Sequence, residues 1–276
     1  MNNKSIHLSE RDLDGDGILN IFEFGLGGSN PDTNLVEFFQ QGRAYDNSTI
    51  AAGHYHTCVI RENGSIGCWG SNEYGQLGDG SPYDPSGDPG SSSFNESRTV
   101  MLPPGRTAVS ITAGDWHTCA LLDNQSLYCW GLNNMGQLGI GSFDDCCFDA
   151  FYSTPMWVNL TKKDYDPDRY AVAIDAGEDS TCAIIDNGSL LCWGKGYIAC
   201  DTCSTGLYNN RNYPTYYNFP GRDPDATVTA IDVSFGVAHA CAAFSDGGLY
   251  CWGNAVAGKT GPNAGGGGWV DLPHLY

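Results

Sequence analysis

His117-Thr-Cys119-Ala-Leu-Leu-Asp123-Asn-Gln-Ser-Leu127-Tyr-Cys129-Trp-Gly131-Leu-Asn-Asn-Met-Gly136-Gln-Leu-Gly139 is the stretch that decides the fold, because it recurs. His56 to Gly78 reads His-Thr-Cys-Val-Ile-Arg-Glu-Asn-Gly-Ser-Ile-Gly-Cys-Trp-Gly-Ser-Asn-Glu-Tyr-Gly-Gln-Leu-Gly. Ser180 to Gly194 reads Ser-Thr-Cys-Ala-Ile-Ile-Asp-Asn-Gly-Ser-Leu-Leu-Cys-Trp-Gly, and His239 to Gly253 reads His-Ala-Cys-Ala-Ala-Phe-Ser-Asp-Gly-Gly-Leu-Tyr-Cys-Trp-Gly. The first cysteines, Cys58, Cys119, Cys182 and Cys241, are 61, 63 and 59 residues apart. In each copy a second cysteine follows after ten residues, and a Trp-Gly pair comes next. Such a period signals a repeat array rather than a domain built round one catalytic pocket.

Each copy is a short apolar run, a turn and a second apolar run. Asn63-Gly64, Asn187-Gly188 and Asp246-Gly247 are hairpin signals, since these residues accept positive φ cheaply. Runs of about four apolar residues are too short for a helix and suit buried strands. A turn centred on Asn124 places Cys119 opposite Cys129 on the neighbouring strand. Opposed Cα atoms at a non-hydrogen-bonded position lie roughly 4.5 Å apart, the short end of the disulfide range. The expected staples are Cys58–Cys68, Cys119–Cys129, Cys182–Cys192 and Cys241–Cys251. Eight small buried thiols are the alternative; their equal spacing in all copies argues against it.

An apolar stretch precedes each hairpin, as in Ser110-Ile-Thr-Ala-Gly, Ala173-Ile-Asp-Ala-Gly and Ile231-Asp-Val-Ser-Phe-Gly. Further upstream lie strand-like pieces: Thr99-Val-Met-Leu-Pro, Met156-Trp-Val-Asn-Leu, Pro214-Thr-Tyr-Tyr-Asn-Phe-Pro and finally Trp269-Val-Asp-Leu-Pro, with Leu35-Val-Glu-Phe-Phe as a fifth example. About four strands in some 60 residues is the inventory of one propeller blade. The expected fold is therefore all-β, a propeller-like array of about four four-stranded blades at 35–98, 99–155, 156–214 and 215–276, behind a segment at 1–34.

The pattern Ala-Gly-x-x-His-Thr-Cys-Ala-Leu, then Gly-x-Leu-x-Cys-Trp-Gly-x-Asn-x-x-Gly-Gln-Leu-Gly, resembles the regulator-of-chromosome-condensation repeat, a β-propeller family. The resemblance covers roughly residues 35–276; copies three and four lack the Gly-Gln-Leu-Gly tail. The cysteine pair departs from the founding nuclear members and looks like a secreted branch. Family propellers usually have seven blades, so four repeats imply a four-bladed or open array, or part of something longer.

Lys plus Arg is 13 against 32 for Asp plus Glu, a net charge of −19. No basic stripe is available for phosphate contacts, which excludes nucleic acid as the natural partner and argues against the family's chromatin role. Twelve cysteines imply an oxidising compartment, hence an extracellular or cell-surface location. Asn-x-Ser/Thr sequons begin at Asn3, Asn47, Asn63, Asn95, Asn124, Asn159 and Asn187. Asn63, Asn124 and Asn187 occupy the repeat turn and could serve it alone; Asn95 and Asn159 owe nothing to the repeat. No apolar run approaches the roughly 20 residues of a membrane span, so no membrane insertion is expected. Residues 1–11 contain no apolar leader core, which suggests a portion of a larger precursor.

The N-terminal segment carries a calcium-loop pattern. Asp12, Asp14, Asp16, Asn20 and Glu23 stand at loop positions 1, 3, 5, 9 and 12, with Gly17 at 6 and the Ile18 carbonyl at 7. That spacing wraps hard oxygens round one Ca²⁺, and without a cation the carboxylates repel one another. The alternative is an acidic solvated loop. With Asn30-Pro-Asp following, the segment resembles thrombospondin type-3-like and dockerin-like modules, which implies structural calcium.

Four further cysteines lie in insertions after the Trp-Gly pair, Cys146-Cys147 and Cys200-Asp-Thr-Cys203. They fit a zinc site or, in an oxidising setting, two disulfides. Gly253 to Thr260 satisfies the phosphate-loop pattern, but the glycines that follow cannot propagate a helix, and its two glycines belong to the repeat. His56, His117 and His239 share one repeat position and read as structural hydrogen-bonding groups. No catalytic constellation stands out. The expected function is a non-enzymatic extracellular glycoprotein, a structural or interaction module for a protein or glycan partner or for other copies of itself in a surface layer or filament. The expected binding loops are 79–98, 142–155 and 195–213, with Tyr83, Tyr152, Trp157, Tyr208, Tyr213, Tyr216 and Tyr217 as contacts. The alternative is a secreted enzyme acting on polysaccharide on a propeller scaffold.

Overall fold

A computed structural model describes residues 48–81, 92–142, 150–161, 169–196, 210–219, 228–254 and 267–270. Among the described residues, sixteen strands form four antiparallel sheets of four, each built from consecutive strands. Blade 1 contains β1 (Ile50–Ala52), β2 (His56–Ile60), β3 (Ile66–Ser71) and β4 (Ser93–Thr99). Blade 2 contains β5 (Ala108–Ala113), β6 (His117–Leu122), β7 (Leu127–Leu132) and β8 (Phe151–Val158). Blade 3 contains β9 (Ala171–Gly177), β10 (Ser180–Ile185), β11 (Leu190–Gly194) and β12 (Arg211–Tyr216). Blade 4 contains β13 (Ala230–Gly236), β14 (His239–Phe244), β15 (Leu249–Gly253) and β16 (Gly267–Trp269).

The strand-like pieces near 99, 156 and 214 close their own blades by pairing with the third strand, as β4 does with β3. The blades therefore run on to Thr99, Val158 and Tyr216, a few residues beyond the boundaries expected at 98/99, 155/156 and 214/215. A short apolar run cannot reveal which neighbour will pair with it.

The hairpins follow their turns. Arg61 N donates to Ser65 O and Gly64 N to Arg61 O, with Gly64 at φ 74°. Copy two has Gln125 at the equivalent position and still adopts φ 67°, so the register of the repeat overrides the preference for glycine. The cysteines of each copy are directly opposed, and all four expected disulfides form. Their Cα–Cα distances are 4.0–4.1 Å, a little under the expected spacing.

The core lies between blades rather than within them. Cys58, Ile66, Cys68, Leu77 and Val100 of blade 1 pack against Ile111, Ala120, Leu122 and Trp130 of blade 2. Cys119, Leu121, Leu127 and Cys129 then pack against Ile174, Ala183, Ile185 and Trp193 of blade 3. Blade 3 presents Cys182, Ile184, Leu190 and Tyr217 to Val233, Ala242, Phe244 and Trp252 of blade 4. Blades 2 and 3 bury both faces only by stacking between neighbours, the arrangement expected of a propeller-like repeat.

Candidate interaction site

Trp130 and Trp193 are the keys of the stack. Trp130 Nε1 donates to the Gln76 carbonyl of the preceding blade (2.9 Å), and Trp193 Nε1 donates to the Gln137 carbonyl (2.9 Å). Thr118 Oγ1 donates to the same Gln76 carbonyl and Thr181 Oγ1 to that of Gln137, both at 2.9 Å. Each threonine hydroxyl also meets a histidine of the preceding blade: His56 Nε2 at 2.8 Å from Thr118 and His117 Nε2 at 2.9 Å from Thr181. A hydroxyl has one proton. With that proton on the glutamine carbonyl, the histidine Nε2 must donate, leaving a neutral ring. Burial pushes the His56 pKa down to about 4, and burial together with His56 pushes that of His117 down to about 3. These histidines are structural.

The Gly-Gln-Leu-Gly tail is the other half of this joint. A Cβ on Gly78 would lie 2.6 Å from Trp130 Nε1, and one on Gly139 would lie 2.6 Å from Trp193 Nε1. Between blades 3 and 4 the chemistry changes, because Ser180 replaces the histidine and Ala240 the threonine. Aromatic packing takes over, with Tyr217 and Trp252 centroids 4.7 Å apart and Phe219 edge-on to Phe244 at 4.7 Å. Tyr217 is thus core, not a contact residue, because it fills this joint.

The pairs of residues written x-x in Ala-Gly-x-x-His-Thr-Cys form the loops between first and second strands. They are His54-Tyr55, Asp115-Trp116, Glu178-Asp179 and Val237-Ala238. Because the first strands pack in sequence, β1 on β5, β5 on β9 and β9 on β13, these loops lie side by side on one face. The loops are tied down: Tyr55, Trp116, Asp179 and Ala238 carbonyls accept from Ser71, Leu132, Lys195 and Asn254 amides. Gly131 (φ 104°) allows this closure, since a Cβ there would lie 2.4 Å from Trp116 O. Asp115 N donates to Glu178 O across blades (3.0 Å).

The side chains on these loops form an aromatic pile with an acidic flank. His54 stacks on Tyr55 with centroids 4.1 Å apart, Tyr55 on Trp116 at 4.4 Å, and Tyr74 meets Trp116 edge-on at 5.2 Å. Tyr55 is 51% exposed. Asp115 Oδ2 lies 3.4 Å from His54 Nδ1, while Lys195 pairs with Glu178 and Asp179. Burial raises the Asp179 pKa against the opposing pull of Lys195. Three carboxylates face two cations, and histidine is cationic only when protonated. Among the described residues no group of three or more His, Cys, Asp or Glu is placed to hold a metal ion. The arrangement is suited to recognition by stacking and charge.

Sequence reasoning looked for function in the long loops and passed over these pairs. The available signal was that two variable positions recur at one fixed place, directly after a glycine present in all four copies. Of the expected contacts, Trp157 and Tyr213 are exposed, and Tyr152 and Tyr216 half-buried. Asn63, Asn95, Asn124, Asn159 and Asn187 are all exposed. The expected calcium ligands Asp12, Asp14, Asp16, Ile18, Asn20 and Glu23, with Asn3, Asn47, Tyr83, Tyr208, Cys146, Cys147, Cys200 and Cys203, lie outside the described residues.

Two profiles described as "Regulator of chromosome condensation (RCC1) repeat" match this chain, one at residues 48–76, 108–137 and 230–258, the other at 63–121 and 124–184. Together they cover more than half of the 276 residues. The chain belongs to the RCC1-repeat family. Over 173 residues it is 29% identical to the ultraviolet-B receptor UVR8 of Arabidopsis thaliana, covering 60% of this chain and 33% of that one. Over 211 residues it is 27% identical to the E3 ubiquitin-protein ligase HERC2 of Homo sapiens, covering 74% of this chain and 4% of that one. Yeast RCC1 (Prp20), solved bound to Kap60, superposes with a TM-score of 0.58 at 21% identity, over 76% of this chain and 44% of that one. Human WBSCR16 gives 0.60 at 20%, over 83% and 56%. The RCC1-repeat chain thus spans about half, or much less, of the relatives it matches.

Proposed function

We propose that this RCC1-repeat chain is a non-enzymatic extracellular glycoprotein that uses the face of first loops to bind a basic protein segment. The stacked His54–Tyr55–Trp116–Tyr74 pile beside Asp115, Glu178 and Asp179 carries the reading. Aromatic anchors with complementary charge are what protein interfaces concentrate, and a net charge of −19 favours a cationic partner. Yeast RCC1 was solved in complex with a protein, and another study of Prp20p concerns its binding to Gsp1p and histones. Antiparallel connectivity supports the glycoprotein reading. The turns bearing Asn63, Asn124 and Asn187, and Asn159 just after β8, lie on the face opposite the aromatic pile, so glycans there leave it open. Residues 12–23 supply structural calcium binding in front of the array.

Screening the intact chain against a displayed peptide library and a glycan array tests this. Lys/Arg-bearing peptides should be enriched, and enrichment should fall at least tenfold for Trp116→Ala and several-fold for Asp115→Asn. Binders indifferent to both substitutions would remove this face from the account. Enrichment on the glycan array alone would make the partner a sugar. Mass spectrometry of the natively isolated protein should show oxidised cysteines and sugar on Asn95 or Asn159; twelve free thiols would rule out the extracellular reading.

A further inference from the structure

The joint between blades 1 and 2 holds a buried donor whose counterpart in the next joint is satisfied. Gln76 and Gln137 share one place in the repeat, and both are wholly buried. Each side-chain oxygen accepts from the backbone amide two residues back, Tyr74 N for Gln76 and Met135 N for Gln137, both at 2.8 Å. That bond decides which end of each carboxamide is the oxygen, so it fixes the nitrogen too. Gln137 Nε2 donates to Asn134 Oδ1 (3.2 Å) and to Asp179 Oδ1 (3.4 Å). Among the described residues nothing accepts from Gln76 Nε2.

Two residues account for the difference. Glu73 stands in the repeat where Asn134 does, and Trp116 where Asp179 does. Glu73 is exposed, and an indole ring offers no oxygen to accept a hydrogen bond. Tyr74, whose amide pins Gln76, meets Trp116 edge-on in the aromatic pile. A tryptophan at the aspartate position thus builds the pile and leaves the donor beside it unpaired. A buried donor without an acceptor is costly, and proteins keep such breaches of local rules chiefly at functional sites.

We infer that a main-chain carbonyl of the bound basic segment accepts from Gln76 Nε2, which makes Gln76 a specificity-determining residue of the aromatic face. The inference rests on the reading of that face as a peptide-binding surface and adds a polar contact to its stacking and charge. A neutral carbonyl suits the position better than a carboxylate. Glu73 and Asp115 adjoin Tyr74 and Trp116 in the chain, and the net charge is −19, so an anion would be repelled. The acceptor reaches the nitrogen when the half-buried Trp116 ring turns aside, an ordinary side-chain motion. The Trp116 backbone stays in place, because its carbonyl accepts from Leu132 N. The partner then supplies what Asn134 and Asp179 supply at the next joint.

Two probes of equal positive charge test the inference on the intact, disulfide-bonded chain. N-acetylated, C-amidated tetralysine has main-chain carbonyls, and spermine has none. Titration calorimetry measures both on the unaltered chain, on Gln76→Met and on Trp116→Ala. Gln76→Met keeps the length of the side chain and removes the donor. It should weaken tetralysine by about fivefold, the worth of one hydrogen bond, and leave spermine within about twofold. Trp116→Ala should weaken both, since stacking and cation–π attraction serve either probe. Gln76→Met should also lower the melting temperature less than Gln137→Met does, because only Gln137 Nε2 has acceptors to lose. Unchanged tetralysine binding by Gln76→Met overturns the inference, as do equal losses for the two probes or an unaltered chain that binds no tetralysine. Tetralysine lost at Trp116→Ala but kept at Gln76→Met strikes Gln76 alone and leaves the aromatic face standing. Indifference to Trp116→Ala strikes the face itself.

Discussion

Replacing Thr118 with Val removes one hydroxyl from the joint between blades 1 and 2 and leaves its shape intact. The hydroxyl donates to Gln76 O at 2.9 Å and accepts from His56 Nε2 at 2.8 Å, wholly out of water. Gln76 O keeps Trp130 Nε1 as a donor, so it is not orphaned. His56 Nε2–H is orphaned, and a buried donor left unpaired costs about 1–3 kcal/mol, with about 1 kcal/mol more for the bond lost at Gln76. The sum, about 2–4 kcal/mol, corresponds to a fall of roughly 4–12 °C in melting temperature for a domain of this size. Thr57→Val is the internal control, being the same change at a repeat position that bonds no glutamine carbonyl or histidine among the described residues, and it should stay within about 0.5 kcal/mol in the single chain. Calorimetry at low protein concentration, with disulfides intact, reads both. Equal losses for Thr118→Val and Thr57→Val would refute the view that a histidine–threonine–carbonyl relay joins the blades.

Acid should act through the same histidines. Their folded pKa values, about 4 for His56 and about 3 for His117, lie below the unfolded value of 6.5, so the unfolded chain binds more protons in this window. Stability should therefore be complete above about pH 6.5 and fall as pH drops toward 4 and then 3, and His117→Asn should flatten the pH–melting profile; a profile flat from pH 7 to 4 would contradict this. Calcium should raise the melting temperature or protease resistance of the 1–34 segment, and chelator should reverse it. Asp14→Asn with Asp16→Asn should abolish the effect, and indifference to chelator would remove the site.

The hairpins and their staples were legible from the chain alone because both are local. A ten-residue cysteine spacing around a turn residue leaves one strand register, and four copies repeat it. The residues that matter between blades were visible as a pattern, but their roles were not. Gln76 and Gln137 bridge the blades through backbone carbonyls while their side-chain oxygens accept only locally, from Tyr74 and Met135 N, and the glycines at 78 and 139, both at positive φ, also lie against a tryptophan some 50 residues later. The x-x pairs looked like gaps in a motif until stacking set four of them side by side.

The sequence by itself determined the period, the strand inventory, the disulfide partners and the acidic character, all of which depend on spacing and composition. Only the tertiary structure decided which strands share a blade and which short runs close it. It also showed that the core lies between blades, that Tyr217 is buried, and that Ile50 is left in water where three equivalent residues are covered. Repeat sequences make every copy look alike, and burial separates them because it depends on which blades stack against each other, not on the repeat itself.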